Sequence, residues 1–268
     1  MKTNSLFKNL QFILLLIKLK FSHMMVFRLS FFGAFFADGV LFLVQLLTFE
    51  VIFGQVDGIG DWSRGQMIIF IGTFSMINGL NMLLYFFGVI GISGKIREGG
   101  LDQYITKPGN ALLRLTFENV NPGSAPLLLL SAGIIIYGVT ITGIAVTPIM
   151  VVGYIVMVLL MTVLYYDMEL ILRTIPFFVI SATAIEQLEG NMLELNFKIP
   201  GVLYKGFFKV LFYFVMPYGI MATIPTQLIS GALHIEELAF SVGVVIIFTA
   251  FALWFWRFGL KHYKSASS

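Results

Sequence analysis

Residues 94–123 read GKIREGGLDQYITKPGNALLRLTFENVNPG and form a polar stretch in the middle of an otherwise apolar chain. The stretch holds seven charged residues, and apolar runs long enough to cross a bilayer lie on both sides of it. A membrane protein places recognition where its backbone is free to face water. We therefore predict that residues 94–123 form a loop at the membrane surface on which a soluble partner docks.

The chain as a whole has the composition of a membrane protein. Of its 268 residues, 58% are hydrophobic and 12% are charged, and 28 are phenylalanine. A soluble domain carries about 25% charged residues. The low charge and the repeated apolar runs therefore predict an all-α polytopic membrane protein, with residues 1–268 forming a single transmembrane domain. A transmembrane barrel would instead show alternating segments of about 10 residues.

Six transmembrane helices are predicted, and apolar runs place five of them directly. Thr147 and Pro148 form the only break between the third and the fourth, so we expect these two spans to be antiparallel neighbours. Asp167, Glu169 and Arg173, after the fourth span, indicate a short polar connection. The five runs cover about residues 29–53, 67–92, 126–146, 149–166 and 238–258.

The stretch between the fourth span and the last admits two layouts. In the first, residues 174–195 form a short fifth span and residues 202–232 form a re-entrant hairpin broken near Pro217. In the second, residues 174–200 lie on the membrane surface and residues 206–231 cross it. The positive-inside rule favours the second layout, because it keeps the lysines of this stretch inside. Both layouts remain open, and both give six spans.

The basic residues are concentrated at three places. Residues 1–28 carry five basic side chains and no acidic one. Their apolar residues recur at three- and four-residue spacing, which predicts an N-terminal amphipathic helix lying in the membrane interface. The N-terminus, the central loop and the C-terminus together hold most of the Lys and Arg. The positive-inside rule therefore predicts that both termini and residues 94–123 are cytoplasmic.

No signature of catalysis or of a bound group occurs in the sequence. The chain has no cysteine, and its three histidines are scattered. Gly94-Lys95 is the only Gly-Lys pair, and Val89 and Ile96 stand where a phosphate-binding loop needs Gly and Ser or Thr. We predict that the chain is not an enzyme and holds no metal or cofactor of its own, so that any nucleotide site belongs to another chain.

The central loop also resembles a known family. Residues 97–108, REGGLDQYITKP, are similar to the cytoplasmic loop of membrane subunits of the bacterial type-2 ABC exporter superfamily. The span count and span order resemble that family over nearly the whole chain. The positions that match the family's loop motif in spacing are Gly100, Leu101, Asp102, Ile105 and Pro108.

The resemblance implies a permease subunit that lies in the bacterial cell (inner or plasma) membrane as a multi-pass protein and moves substrate outward. It implies that a separate ABC ATP-binding subunit, which holds ATP and Mg, drives the permease through a short coupling helix between spans 2 and 3. It also implies a second permease in the bilayer, either identical or a paralogue, and no nucleic acid partner. The implied coupling residues are Arg97, Glu98, Leu101, Asp102, Tyr104, Ile105, Lys107 and Pro108.

Helical spacing in the loop agrees with docking. Leu101, Tyr104 and Ile105 fall at positions i, i+3 and i+4, so a short helix would carry them on one face. Such a face could fill a groove on a partner, with apolar anchors at the centre and charges at the rim. The other interpretation is a solvated loop whose apolar residues pack on the membrane surface.

Asp38 is the second candidate site residue, because it lies inside the first predicted span. A carboxylate in hydrocarbon costs roughly 2.5–3.5 kcal/mol on insertion scales, so it should face protein or water. It would then line the translocation path or contact a second permease, unless it lies close enough to the interface to be hydrated. Gly88, Gly91 and Gly94, at the end of the second span, indicate either a close helix approach or a flexible exit into the loop.

Two other classes of function compete with an ABC permease. An ion-coupled secondary transporter would need paired charged residues within the membrane and an internal repeat, of which the sequence offers only Asp38. A non-transporting membrane anchor or sensor subunit would need no coupling loop.

Overall fold

The computed structural model describes residues 11–19, 22, 28–56, 58–179 and 182–263. Within these ranges the chain is helical, with no β-strand. Residues 11–19 form part of the predicted N-terminal helix, and the rest of that prediction lies mostly outside the described residues.

The first half of the chain has two long helices and then a series of short ones. They are α1 (Arg28–Phe53), α2 (Arg64–Leu84), α3 (Phe86–Val89), α4 (Ile92–Arg97), α5 (Asp102–Ile105) and α6 (Ala111–Phe117). The second half contains α7 (Ala125–Thr142), α8 (Pro148–Thr174), α9 (Thr183–Lys198), α10 (Gly206–Val210), α11 (Tyr218–Met221), α12 (Thr223–Ile229) and α13 (Ile235–His262). A turn of π-helix, Leu211–Val215, continues α10.

Four helices are long and apolar enough to cross a membrane among the residues that the structure describes: α2, α7, α8 and α13. The pair Gly206–Val215 and Tyr218–Ile229 is also apolar but is bent by 79° at its break. The apolar part of α1 within the described residues, Gly39–Phe53, is shorter. The protein is therefore an all-α membrane protein, as predicted.

The fourth predicted span is longer than the sequence analysis expected. Thr147 caps α8 by accepting a hydrogen bond from the Met150 backbone N–H at 3.4 Å, and Pro148 occupies the first turn. From there the helix continues without a break to Thr174. The prediction of a polar connection at residues 167–173 is wrong, because these residues lie inside the helix, where Asp167 accepts a hydrogen bond from Thr249 and Glu169 pairs with Arg173, with all three acidic and basic side chains buried.

Glycine determines how α2 packs. Gly65, Gly72 and Gly79 recur every seven residues along it, and a Cβ atom at each would lie 2.6, 2.8 and 2.8 Å from a side-chain atom of α7. Ser75 and Ser131 share a hydrogen bond of 2.6 Å across the same contact. Small residues of this kind let two helices approach closely in a bilayer.

This packing corrects the expected neighbour of α7. The α7 helix packs along α2, and α2 also contacts α8. The connection between α7 and α8 is residues 143–147, in which Gly143 adopts a φ of 67°. It is longer than the two-residue turn that was expected, and it does not force α7 and α8 into close packing.

The two ends of the helix bundle are defined by their loops. We call the end that holds residues 54–65 the first-loop end and the end that holds residues 94–123 the central-loop end. The region after α8 lies at the central-loop end, where the Phe177 ring packs on Trp256 and Tyr263 at centroid distances of 5.6 and 5.9 Å. The region after α9 lies at the first-loop end, where Leu203 contacts Gly60.

These contacts fix the course of the stretch that admitted two layouts. The α9 helix starts beside the end of α8 and finishes near the first-loop end, so it runs along the bundle between its two ends. The bent pair enters beside Leu203 and leaves at Ser230, whose hydroxyl accepts a hydrogen bond from Gln66 at 3.4 Å, also at the first-loop end. Its bend, near Pro217, reaches the level of Met168 and Leu172. This course is compatible with the first layout, but α9 is not among the described helices that are long and apolar enough to cross a membrane, so the choice between the two layouts stays a prediction.

Candidate functional site

The central loop is packed onto the ends of the spans through α3 and α6. A Cβ atom at Gly88 would lie 2.3 Å from the Thr116 carbonyl oxygen and 2.4 Å from that of Leu115, so only glycine fits there. Gly94 has open space around it, and the nearest neighbours of Gly91 are at ordinary distances. One of the three glycines singled out from the sequence is therefore a close-approach position.

Leu101 faces the protein interior. It is 0% exposed and belongs to an apolar cluster with Val89, Leu115 and Trp256. Gly99, at a φ of 74°, turns the chain into α5 and brings the Leu101 backbone N–H within 3.1 Å of the Lys95 carbonyl oxygen. Leu101 thus anchors the loop to the spans, and in this conformation a partner cannot touch its side chain.

The side chain of Tyr104 is held by contacts with other residues of the loop. Its hydroxyl donates a hydrogen bond to Glu118 Oε2 at 2.6 Å, and Lys95 pairs with the other oxygen of the same carboxylate. The Lys95 and Arg114 cations lie 5.2 and 5.0 Å from the centre of the Tyr104 ring. Burial, together with the hydrogen bond to Glu118, raises the pKa of Tyr104 to about 12. The side chain therefore holds α4, α5 and α6 together.

Asp102 connects the loop to the other end of the chain. Burial and the neighbouring Asp102 carboxylate raise the pKa of Tyr263, which follows directly after α13. The Tyr263 ring also packs on Phe177 at the end of α8. Asp102 of α5 therefore lies beside the end of α13, which in turn contacts the region that follows α8.

The other predicted coupling residues face outward. Ile105 is 45% exposed. We call the exposed surface formed by these residues the loop rim; its members are Arg97, Glu98, Ile105, Lys107 and Pro108. The face that spacing predicted for Leu101, Tyr104 and Ile105 is therefore divided, because only Ile105 of the three presents its side chain freely to water.

A buried charge cluster lies where the sequence predicted a connection. Arg173 Nη2 lies 3.4 Å from Glu169 Oε2, and Arg173 Nη1 lies 3.0 Å from Glu189 Oε2. Tyr218 donates a hydrogen bond of 3.2 Å to the other oxygen of Glu189. The side chains of Arg173, Glu169 and Glu189 are 6%, 1% and 2% exposed, so the cluster ties α8, α9 and the bent pair together away from water.

Sequence reasoning missed this cluster because a hydropathy pattern registers polarity but not pairing. A usable signal was present in the spacing. Glu169 and Arg173 are four residues apart, and opposite charges at that spacing share one helix face. Glu186 and Glu189 are three residues apart and share one face of the next helix, where both can meet the Arg173 cation, so all four residues could have been assigned to facing helices.

A large cavity opens between α1, α2 and α9. Its volume is about 1060 Å³ and its wall is mainly apolar. Polar groups of Gln45, Asn78 and Tyr165 also line it, and Glu194 and Lys198, which pair at 2.7 Å, lie at its edge. The side chain of Asp38 lies outside the described residues, so its predicted role in a path or an interface stays a prediction.

Comparison with known proteins assigns the family. The family model of the ABC-2 family transporter protein matches residues 40–267. The chain belongs to the ABC-2 transporter family, and it is the membrane-embedded permease component, which is not itself catalytic. No curated protein and no solved structure matches the chain. The resemblance drawn from residues 97–108 is thus confirmed at the level of the family.

Proposed function

We propose that this protein is the permease subunit of an ATP-driven exporter in a bacterial cell membrane. A separate ABC ATP-binding subunit holds ATP and Mg, docks on the loop rim and drives outward movement of substrate. The observation that carries the proposal is the division of residues 97–108 into buried anchors and an exposed rim. A partner that displaces the exposed rim of such a loop would also displace its buried anchors, because the loop moves as a unit.

The displacement would be transmitted from the loop rim to the ends of the spans through side-chain contacts. The loop rim continues directly into Tyr104, whose hydroxyl is bonded to Glu118, and into Leu101, which is buried beside Trp256 of α13. Protein interiors are close-packed, so displacement of one side chain in such a cluster moves its neighbours. A displacement of the rim would therefore tilt the ends of α8 and α13 rather than bend a free loop.

We further propose six membrane crossings, by α1, α2, α7, α8, α9 and α13. In this arrangement the bent pair is a re-entrant hairpin from the outside, and both termini and the central loop are cytoplasmic. Support comes from the Lys and Arg at these three places and from the contacts of α9 with both ends of the bundle. A crossing helix as polar as α9 must face protein or water, which suits a wall of the translocation path.

A second permease, identical or a paralogue, completes the path in this proposal. Residue 38 lies three residues before Leu41 and seven before Gln45, and both of these line the cavity. That register favours a place for Asp38 on the same stripe of α1, at the path or at the contact between permeases.

The proposal is tested by purifying the tagged protein from its native host and quantifying any co-purified ATP-binding subunit. Ile105→Asp places a charge at the exposed apolar side chain of the loop rim and should reduce that subunit at least about tenfold, since loss of an interface anchor costs about 2 kcal/mol or more. The matched control is Ile141→Asp, because Ile141 is also partly exposed, at 37%, but lies near the opposite end of the bundle. Equal recovery from the two variants would exclude docking at the rim.

An ion-coupled transporter is the second candidate, and the buried cluster of Arg173 with two carboxylates favours it. Paired charges within a membrane domain are the feature expected of that class. A transporter of this kind works without a nucleotide-binding subunit. Absence of any stoichiometric ATP-binding subunit from the native complex would therefore count against the ATP-driven mechanism and leave this candidate and a non-transporting subunit.

A further inference from the structure

The end of α13 carries an exposed aromatic surface to which two elements contribute. The ring of Phe178, which follows α8, stacks on Phe255 and on Phe258 of α13, at a centroid distance of 5.5 Å in each case. The Trp254 ring stacks on Phe258, also at 5.5 Å. Phe178, Trp254 and Phe258 are 41%, 56% and 38% exposed. We call these four rings the aromatic platform. Because one ring comes from the segment after α8, the platform is a shaped surface and not only a stripe on one helix.

Two cations continue this surface toward the end of the helix. Positions i, i+3, i+4 and i+7 of one face of α13 are occupied by Trp254, Arg257, Phe258 and Lys261, all of them exposed. Trp256, which is buried, lies on the opposite face. The guanidinium and the ammonium group are therefore presented beside the aromatic platform, on the side of α13 that faces away from the bundle.

Arg257 and Lys261 have no counterion within the part of the chain that the structure describes. Neither forms an ion pair with a described residue, and the sequence contains no acidic residue after Glu237. Like charges four residues apart on a helix repel each other. The negative end of the helix dipole offsets part of this repulsion, and an anion bound between the two cations would offset more of it.

The position of the two cations along α13 indicates the source of such an anion. Residues 238–256 carry no charge, and at 1.5 Å per residue they span about 28 Å, close to the thickness of the hydrocarbon core of a bilayer. Arg257 and Lys261 therefore follow directly after the hydrocarbon, at the level of the lipid phosphates. The aromatic platform lies at the boundary itself, where aromatic rings are preferred.

We propose that this surface binds an anionic phospholipid, with the lipid phosphate between Arg257 and Lys261 and an acyl chain on the aromatic platform. Two cations without a carboxylate beside them select against a zwitterionic lipid, because they repel the ammonium group of its headgroup. This binding goes beyond the proposed function and is independent of it, since it requires neither a nucleotide nor a partner subunit.

The fluorescence of Trp254 provides the test. Trp254 is exposed, whereas the other two tryptophans, Trp62 and Trp256, are buried. The full-length chain is reconstituted in vesicles of phosphatidylcholine and phosphatidylglycerol in equal amounts. Bromine, which quenches tryptophan on contact, is carried on the acyl chains of one lipid or of the other, so the surface charge is the same in both samples. A Trp254→Phe variant gives the background from the buried tryptophans.

We expect phosphatidylglycerol to be preferred at Trp254 by at least about fivefold, which is the effect of a single interfacial cation on an anionic lipid. The measured quantity is the ratio of the quenching by the two brominated lipids after subtraction of the background. Equal quenching of Trp254 by the two lipids would overturn the proposal.

Two double variants provide the contrast. Arg257→Gln combined with Lys261→Gln should leave Trp254 equally quenched by either lipid. The matched control is Lys205→Gln combined with Lys209→Gln, which removes two exposed cations near the first-loop end and should keep the preference for phosphatidylglycerol. Loss of the preference in both double variants would mean that it depends on the overall charge of the protein, and it would also contradict the proposal.

A second copy of the chain on the aromatic platform has its own readout. Lipid chains could not then reach Trp254, so neither brominated lipid would quench it, and the proposal would be overturned. Quenching by phosphatidylglycerol that is lost only when Arg257 and Lys261 are replaced supports it.

Discussion

Arg173 Nη1 lies 3.0 Å from Glu189 Oε2, and both side chains are almost fully buried. This contact joins the last turn of α8 to the first half of α9, and Tyr218 extends it to the bent pair through its bond to Glu189. One guanidinium thereby sets the position of two elements that follow it in the chain. Because the group is desolvated, its energetic role is to keep buried carboxylates compensated rather than to add stability by itself.

Removal of Arg173 should therefore be severe. Arg173→Met leaves Glu169 and Glu189 buried without their cation, a change that typically costs about 3–5 kcal/mol. We expect a large fall in the melting temperature, measured by the loss of the monodisperse peak after heating in detergent. Adding Glu189→Gln to Arg173→Met should recover part of the loss. Lys198→Met breaks the exposed Glu194–Lys198 pair on α9, the helix that carries Glu189, and should have little effect.

The α2–α7 contact makes a second prediction about stability. Gly72→Val forces a branched side chain against Ile135, where a Cβ atom alone would lie 2.8 Å from the nearest atom. Overpacking of this kind typically costs about 1–3 kcal/mol, and more where the backbone cannot move. Gly133→Val is the control, because open space surrounds that position on α7. Yield of folded protein should fall for the first variant only, and equal yields would show that α2 and α7 are not in close contact.

The sequence predicted the membrane class, the helical content and the polar loop, because those depend on composition and on runs of apolar residues. It did not predict which helices touch. The short connection before Pro148 suggested that α7 packs on α8, whereas the glycines of α2 determine the neighbour of α7. Close approach depends on the absence of a side chain, which a hydropathy pattern does not register.

The sequence predicted where in the chain the candidate site lies, but not how its side chains are arranged. The spacing of Leu101, Tyr104 and Ile105 predicts one shared face of a short helix, whereas α5 covers only Asp102–Ile105 and Leu101 precedes it. In such a short helix the turn at Gly99 and the carboxylate of Glu118 decide where each side chain points. Those are contacts between residues separated in sequence, so periodicity alone could not supply them.

Because of Tyr104, the stability of the central loop should depend on pH in the alkaline range. Its pKa is raised to about 12, above the ordinary value, so the neutral hydroxyl is favoured in the folded loop. The stabilisation is complete below about pH 10, the ordinary value for tyrosine, and is lost as the pH rises through the folded pKa.

Hydrogen exchange should detect this loss. Amide protection in residues 94–123, after correction for intrinsic rates, should fall between about pH 10 and 12 relative to the rest of the bundle. Tyr104→Phe, which cannot ionise, should show lower protection at neutral pH and no further fall over that range. A native loop whose protection follows that of the phenylalanine variant at every pH would contradict the assignment of Tyr104 as the tie to Glu118.

The course of α9 makes the sharpest prediction about topology. If α9 crosses the bilayer and the bent pair is a re-entrant hairpin, Lys205 lies outside the cell, although counting basic residues would place it inside. Since the native chain has no cysteine, Lys205→Cys can be labelled in intact cells with a membrane-impermeant maleimide.

Lys205→Cys should react as Asp61→Cys in the first loop does, and Thr106→Cys in the central loop should react only after the cells are opened. All three positions are exposed in the structure, so accessibility within the fold is matched. Protection of Lys205→Cys together with Thr106→Cys would instead mean that residues 206–231 cross the membrane and that α9 lies on its inner surface.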